Sequence, residues 1–363
     1  MVAKIPSLTT TNQLENDMID VAILGATGAV GQRFVQLLDG HPFFTVRELA
    51  ASGRSAGRRY ADACHWLLPT PMPERVGELT VKSLDAPLSS PLVFSALPSD
   101  VAGEIEDRLA DAGHAVSTNA SAHRMEPDVP LLVPEVNWAH VEAIATQRER
   151  RRSGGYIVAN PNCSTIGLTL ALAPLHAHFG LERVMVTTLQ AISGAGYPGV
   201  PSLDIIDNAF PYIGSEEDKL ESEPRKILGG WRDNRFTDAP ITFSASCNRV
   251  AVSDGHLECV SIGLATRASL DDVDSALRDY RSLILELGLP SAPDPVIIVR
   301  DEPDRPQPRL DRDAGRGMAV TVGRLRPCPI LDYKFVVLSH NTVRGAAGGA
   351  ILNAELLQAK GLI

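Results

Sequence analysis

Residues Ile19 to Gly31 constrain this chain more than any other stretch. Ile19-Asp20-Val21-Ala22-Ile23-Leu24 is an apolar run of strand length. Gly25-Ala26-Thr27-Gly28-Ala29-Val30-Gly31 follows at once, and Arg33 to Leu38 then carries apolar residues at helical spacing up to Gly40. The order is strand, glycine turn, helix. The first glycine permits a tight turn, the second lets a pyrophosphate approach backbone N–H groups, and the third lets helix and strand pack closely. This opening predicts a doubly wound α/β domain that binds a dinucleotide, with Gly25, Thr27, Gly28, Ala29 and Val30 around the phosphates.

The next segments refine the cofactor. A second strand, Val46 to Ala51, ends in Ser52-Gly53-Arg54-Ser55. An acid at that point would hold the ribose hydroxyls of NAD, and none is there. Glu48 lies inside the strand and is expected to be solvated. Ser52, Arg54 and Ser55 offer hydroxyls and a cation that suit a 2′-phosphate, so the expected cofactor is NADP. Leu92 to Leu97 reads as a buried strand, with a helix Val101 to Ala112 capped by Ser99 or Asp100. Ala115 to Thr118 is a further strand. It delivers Asn119 to Arg124 at its carboxyl end, the edge where such sheets bind ligands. The run Arg148 to Arg152 is expected to be a solvated helix end.

A second feature is Asn160-Pro161-Asn162-Cys163-Ser164-Thr165. The strand-like Tyr156 to Ala159 leads in and the apolar helical run Ile166 to Ala173 leads out. Cys163 therefore stands at a helix start, near unpaired N–H groups and the positive end of the dipole. That setting favours a thiolate nucleophile. Taken alone, its surroundings favour a small buried thiol.

At 363 residues the chain is long enough for two domains. Its net charge of −10 argues against nucleic acid or an anionic membrane as partner. Five cysteines without metal-type spacing read as cytosolic thiols, with no disulfide framework and no metal. No apolar run reaches the roughly 18 residues of a membrane span. Residues 1–18 read as a flexible arm. Beyond the cysteine helix the texture turns β-rich: Arg183–Ile192, Ile241–Val250, His256–Thr266, Met318–Leu325 and Tyr333–Ser339. A helix over Leu270 to Leu287 and a mobile loop over Asp301 to Gly317 are expected between them. The final helix, Gly345 to Lys360, is expected to be apolar on one face and to return to the first domain. The fold expected is an N-terminal Rossmann-type doubly wound domain (19–160 plus 342–363) and an α+β catalytic and dimerisation domain (161–341).

Six segments in order resemble one family. Gly25–Gly31, Ser52–Gly57, Asn160–Thr165, Gln190–Gly196, Arg249–His256 and Asn341–Gly348 together resemble aspartate-semialdehyde dehydrogenase. Ala63-Cys64-His65-Trp66, Gly199 to Asp204 and Asp254-Gly255-His256 look most like its archaeal and fungal branch. The resemblance implies a nucleophile at Cys163, a general acid/base at His256 and a substrate-orienting Gln190. It implies that Arg249 grips the substrate carboxylate, Glu223 the amino group, and Lys226 with Arg124 the phosphate, with Asn162 also at the substrate. Leu97, Pro98, Ser193, Gly194 and Asn341 would complete the NADP site. The implied reaction interconverts 4-phospho-L-aspartate and L-aspartate 4-semialdehyde through a Cys163 thioester, in amino-acid biosynthesis, by a homodimer or homotetramer. The alternative is an NADPH-dependent malonyl-CoA reductase of the same fold. Two departures stand out: Ala251 where proline is common, and Leu257 where a polar residue often follows the histidine.

Overall fold

The computed structural model describes residues 18–363, so the expected arm falls outside the described residues except for Met18. Two six-stranded sheets organise the chain. The first comprises β1 (Ile19–Leu24), β2 (Phe44–Ala51), β3 (Val81–Ser83), β4 (Leu92–Ser95), β5 (Ala115–Thr118) and β6 (Tyr156–Ala159). Its order is β3-β2-β1-β4-β5-β6 and every pair is parallel. Strand order reverses between β1 and β4, which opens a crevice at their carboxyl ends.

The second sheet is mixed, in the order β10-β7-β11-β14-β13-β12. Its strands are β7 (Leu181–Gln190), β10 (Thr242–Arg249), β11 (His256–Leu264), β12 (Ile297–Arg300), β13 (Val320–Pro327) and β14 (Tyr333–Ser339), with a side hairpin of β8 (Gly230–Arg232) and β9 (Arg235–Thr237). Val184, Val186, Thr188 and Gln190 of β7 are buried while Met185 and Thr187 point out, so one face is covered and the other open.

The cysteine helix, Cys163–Phe179, joins the sheets. It is buried at every position from Ser164 to Leu175, as a helix apolar on all sides must be. The last helix, Gly348–Ala359, is likewise buried on all sides rather than on one face, and Ser117 of β5 donates to its Ala350 carbonyl at 3.2 Å.

Five local expectations are corrected. Glu48 is buried, not solvated: Lys82 Nζ donates to it at 2.6 Å and Ser90 N at 2.7 Å. Burial opposes its charge, but those bonds prevail and bring its pKa down to about 2. The arginine run is not free either. Arg151 is buried against Asp107 and Asp111, and Arg148 reaches the Leu362 carbonyl at 2.7 Å. The segment 301–317 is ordered around the buried Asp311, which accepts from Arg305 Nε and Gln307 N at 2.7 Å each. The helix expected to Leu287 ends at Arg278, and a 3₁₀ turn, Leu283–Leu287, follows. Pro98, not Ser99 or Asp100, precedes the helix Ser99–Asp111, and the Ser99 hydroxyl accepts Ser121 N–H instead.

Candidate active site

The crevice beyond β1 and β4 runs on into a cavity of roughly 800 Å³ between the two sheets. Thr27, Gly28, Ala29, Val30, Leu97 and Pro98 line one end. Asn162, Cys163, Gln190, Arg124 and Arg249 line the other, with Ser193, Gly194 and Asn341 between.

At the first end the glycines have steric reasons. Gly25 has φ +68°, and a Cβ there would stand 2.5 Å from the Ala96 carbonyl oxygen. A Cβ on Gly31 would meet the Gly25 oxygen at 2.3 Å. Gly28 caps the helix Ala29–Leu37 without a side-chain bond, so the first N–H groups stay open to an anion. Gln32, absent from the sequence expectations, braces the turn. Its amide donates to the carbonyls of Thr27 and His65 at 3.0 and 2.9 Å and accepts from Leu67 N at 2.7 Å. Ser52 and Arg54 are exposed and Ser55 half-buried in the turn after β2, outside the cavity lining. These residues fit NADP: a tight phosphate turn, open N–H groups, and a hydroxyl–guanidinium rim with no acid.

At the other end Cys163 begins its helix. Asn162 is the cap; its side-chain Oδ1 accepts from Ser164 N at 2.9 Å. The Cys163 sulfur lies 3.2 Å from His256 Nε2, and His256 Nδ1 accepts the Ala191 N–H at 3.0 Å. Burial and the Glu216 carboxylate push the resting thiol up to about 12, against the arginines nearby. Behind the sulfur, a Cβ on Gly345 would fall 2.7 Å from Cys163 Cβ, so that loop must be glycine. The loop is held by Arg344, whose guanidinium is buried and donates to both oxygens of Glu135.

The predicted anion grips take different places. Arg249 lines the cavity and spends Nη1 on the Ala191 carbonyl at 2.8 Å. Arg124 also lines it, paired with Glu223 at 2.9 Å. Lys226 does not. Its ammonium donates to the carbonyls of Arg124, Glu126 and Val129 at 2.7 to 2.9 Å, and burial brings it down to about 8. The expected phosphate cation is therefore a brace for the Arg124 loop. Glu223 is similarly spent, on Arg124 and on the Asn162 N–H at 2.8 Å, and is absent from the lining.

The carboxylate that does face the cavity is Glu216, missed in the sequence because Glu216-Glu217-Asp218-Lys219 looks like a solvated helix start. Asn162 Nδ2 donates to it at 2.9 and 3.0 Å, Gln190 Nε2 at 3.3 Å and Lys219 at 2.9 Å. Asn341 joins the halves. Its amide donates to Ser193 Oγ and accepts from Gly255 N, both at 2.8 Å. Among the described residues, no three His, Cys, Asp or Glu side chains converge as a metal site.

Two family profiles match. Residues 20–144 match the semialdehyde dehydrogenase NAD binding domain, and residues 172–344 the semialdehyde dehydrogenase dimerisation domain. The aspartate-semialdehyde dehydrogenase of Methanothermobacter thermautotrophicus is 51% identical over 94% of this chain and 99% of its own. The chain belongs to the aspartate-semialdehyde dehydrogenase family. The family's Cryptococcus neoformans enzyme is 51% identical over 95% of this chain and 98% of its own. The solved structure of the family's Candida albicans enzyme with NADP superposes with a TM-score of 0.89 at 46% identity, over 95% of this chain and 100% of that one. Family membership agrees with the two-sheet architecture: a parallel dinucleotide-binding sheet first, a mixed sheet after it.

Proposed function

We propose that the chain is an NADP-dependent aspartate-semialdehyde dehydrogenase. The observation that carries this reading is a helix-capped Cys163 with His256 Nε2 at 3.2 Å, in one cavity with an open glycine turn and two arginines. Bound NADP would accept or supply the hydride. The sulfur forms a thioester with the aspartyl carbon, a task suited to a group that both attacks and leaves well. Arg249 holds the α-carboxylate and Arg124 the phosphate, one guanidinium for each anion. Glu216 takes the α-ammonium, in place of the expected Glu223. Gln190 and Asn162 hold Glu216 in position. His256 sits where the substrate oxygen gathers charge, beside the N–H groups of the helix start.

The named relatives favour this over the malonyl-CoA reductase alternative, which finds no support among them. Residues 19–160 with 342–363 serve the cofactor and 161–341 the chemistry and dimerisation. A cytoplasmic homodimer or homotetramer is the assembly we propose. Among the described residues no helix is long and apolar enough to cross a membrane.

The test is an assay of purified protein with aspartate semialdehyde, NADP and phosphate beside one with malonyl-CoA and NADPH. NADPH production in the first and no oxidation in the second is the expected result. Activity with the CoA ester alone would overturn the proposal.

A further inference from the structure

The turn that carries Arg124 is anchored through the residue before it. Among Ser121 to Met125 only His123 and Arg124 are buried, and their side chains diverge. Arg124 lines the cavity and His123 does not. The His123 ring reaches instead to the helix Ser99–Asp111. There Nε2 lies 3.4 Å from Oε2 of Glu106, a fully buried carboxyl. Neither atom has a hydrogen-bond partner of its own among the described residues, so each is left facing the other. On the other side of the ring, Nδ1 lies 2.8 Å from Oε1 of Glu126, three residues on.

One hydrogen must lie in the gap between Nε2 and Glu106. The half-exposed Glu126 carboxylate only accepts, so Nδ1 donates to it. Two bare lone pairs facing each other in a buried site are costly, so either the carboxyl or the ring holds a hydrogen there. Burial keeps the Glu106 carboxyl above its usual range, which favours the carboxyl as its holder. The other Glu106 oxygen accepts from Thr118 Oγ1 at 2.6 Å. On the same helix, Ser99 Oγ accepts the Ser121 N–H at 3.0 Å. Three contacts from one helix thus tie the chain at Thr118, Ser121 and His123. Lys226 secures the carbonyls from Arg124 onward. Without the His123 contact, the helix would last hold the chain at Ser121.

We infer that His123 is a positioning residue for phosphate: anchored on Glu106, it fixes the turn that aims Arg124 and so sets the affinity for phosphate without touching it. This rests on the role proposed above for Arg124. The guanidinium follows the turn, because Nη2 donates to the Asn119 carbonyl at 2.7 Å. Guanidinium–phosphate bonds are directional, and a displacement of about 1 Å can cost about 10²-fold. The other parts of the site hang from other elements. Cys163 starts its own helix, Arg249 ends β10, and the glycine turn follows β1. The effect of losing His123 should therefore fall on phosphate.

The experiment measures KM for phosphate, NADP and aspartate semialdehyde separately. In His123→Ala the phosphate KM should rise at least about tenfold. The other two KM values, and kcat at saturating phosphate, should stay within about threefold of wild type. His123→Gln carries its amide near the Nε2 position and still meets Glu106, so its phosphate KM should return to within about threefold of wild type. His123→Asn reaches only toward Glu126 and should behave like His123→Ala; it gives the same measurement should the alanine variant fail to fold. An unchanged phosphate KM, a loss spread evenly over all three substrates, no recovery in His123→Gln, or equal recovery in His123→Asn would each overturn the inference. Arg124→Gln separates this inference from the role it rests on. If that variant leaves the phosphate KM unchanged, the proposed role of Arg124 fails. If it raises the phosphate KM while His123→Ala does not, only the positioning by His123 falls.

Discussion

Glu216 and Glu223 sit seven residues apart on one helix and do opposite things. Glu223 neutralises Arg124 and holds the backbone before the nucleophile, while Glu216 meets the cavity with its charge held by three side chains. If Glu216 receives the substrate ammonium, Glu216→Gln should raise KM for aspartate semialdehyde by about 10- to 100-fold, the worth of a charged hydrogen bond. NADP affinity should stay unchanged, as titration of bound cofactor would check; an unaltered KM would refute the role. Glu258, beneath the His256 row of β11, is buried with no hydrogen-bond partner for either oxygen among the described residues, and burial holds its pKa well above the ordinary value. Its folded form keeps a proton that the unfolded chain releases, so its contribution to stability falls as pH rises above the unfolded carboxyl pKa. Glu258→Gln removes that dependence. Its stability relative to wild type should therefore grow by up to about 1.4 kcal/mol per pH unit between about pH 5 and 7, measured by urea unfolding.

At the level of elements, the glycine turn and the cysteine turn were legible because each is a local pattern with a steric reason. Gly31→Ala tests that reason. The added Cβ falls 2.3 Å from a carbonyl oxygen fixed by the turn, so the helix must move off β1. NADP binding should weaken by at least about tenfold and Tm should fall by several degrees, as overpacking costs about 1–3 kcal/mol; normal binding would show that the turn tolerates displacement. Strand ends, by contrast, were placed only to within a few residues. The loop 301–317 looked mobile because a run of Pro, Asp and Arg is indistinguishable from a linker until one acid, Asp311, is seen to gather its partners. Lys226 failed as a site residue for a related reason. A motif reveals that a lysine is present, but not that three carbonyls a hundred residues upstream will consume its donors.

For the whole molecule, the mixed sheet leaves one face open, and the assembly proposed above would pair through it. Met185 is 51% exposed at its centre, with Cys259 exposed and Thr187 beside it. Pairing through this face predicts that Met185→Arg shifts sedimentation toward a smaller species at micromolar concentration, since an unpaired charge buried at an interface costs several kcal/mol. An unchanged sedimentation coefficient would place the contact elsewhere. The face was legible as alternation in β7, but its being the uncovered one depends on which side the cysteine helix packs, a long-range fact no local spacing encodes.

That helix begins four residues after the last strand of one sheet and packs along the other. In mechanical terms the sulfur lies at the joint of two levers. Were the sheets to change their mutual angle as ligands enter or leave, the cofactor turn and the arginines would sweep arcs set by their distance from that joint. The reacting atom, close to the axis, would scarcely travel.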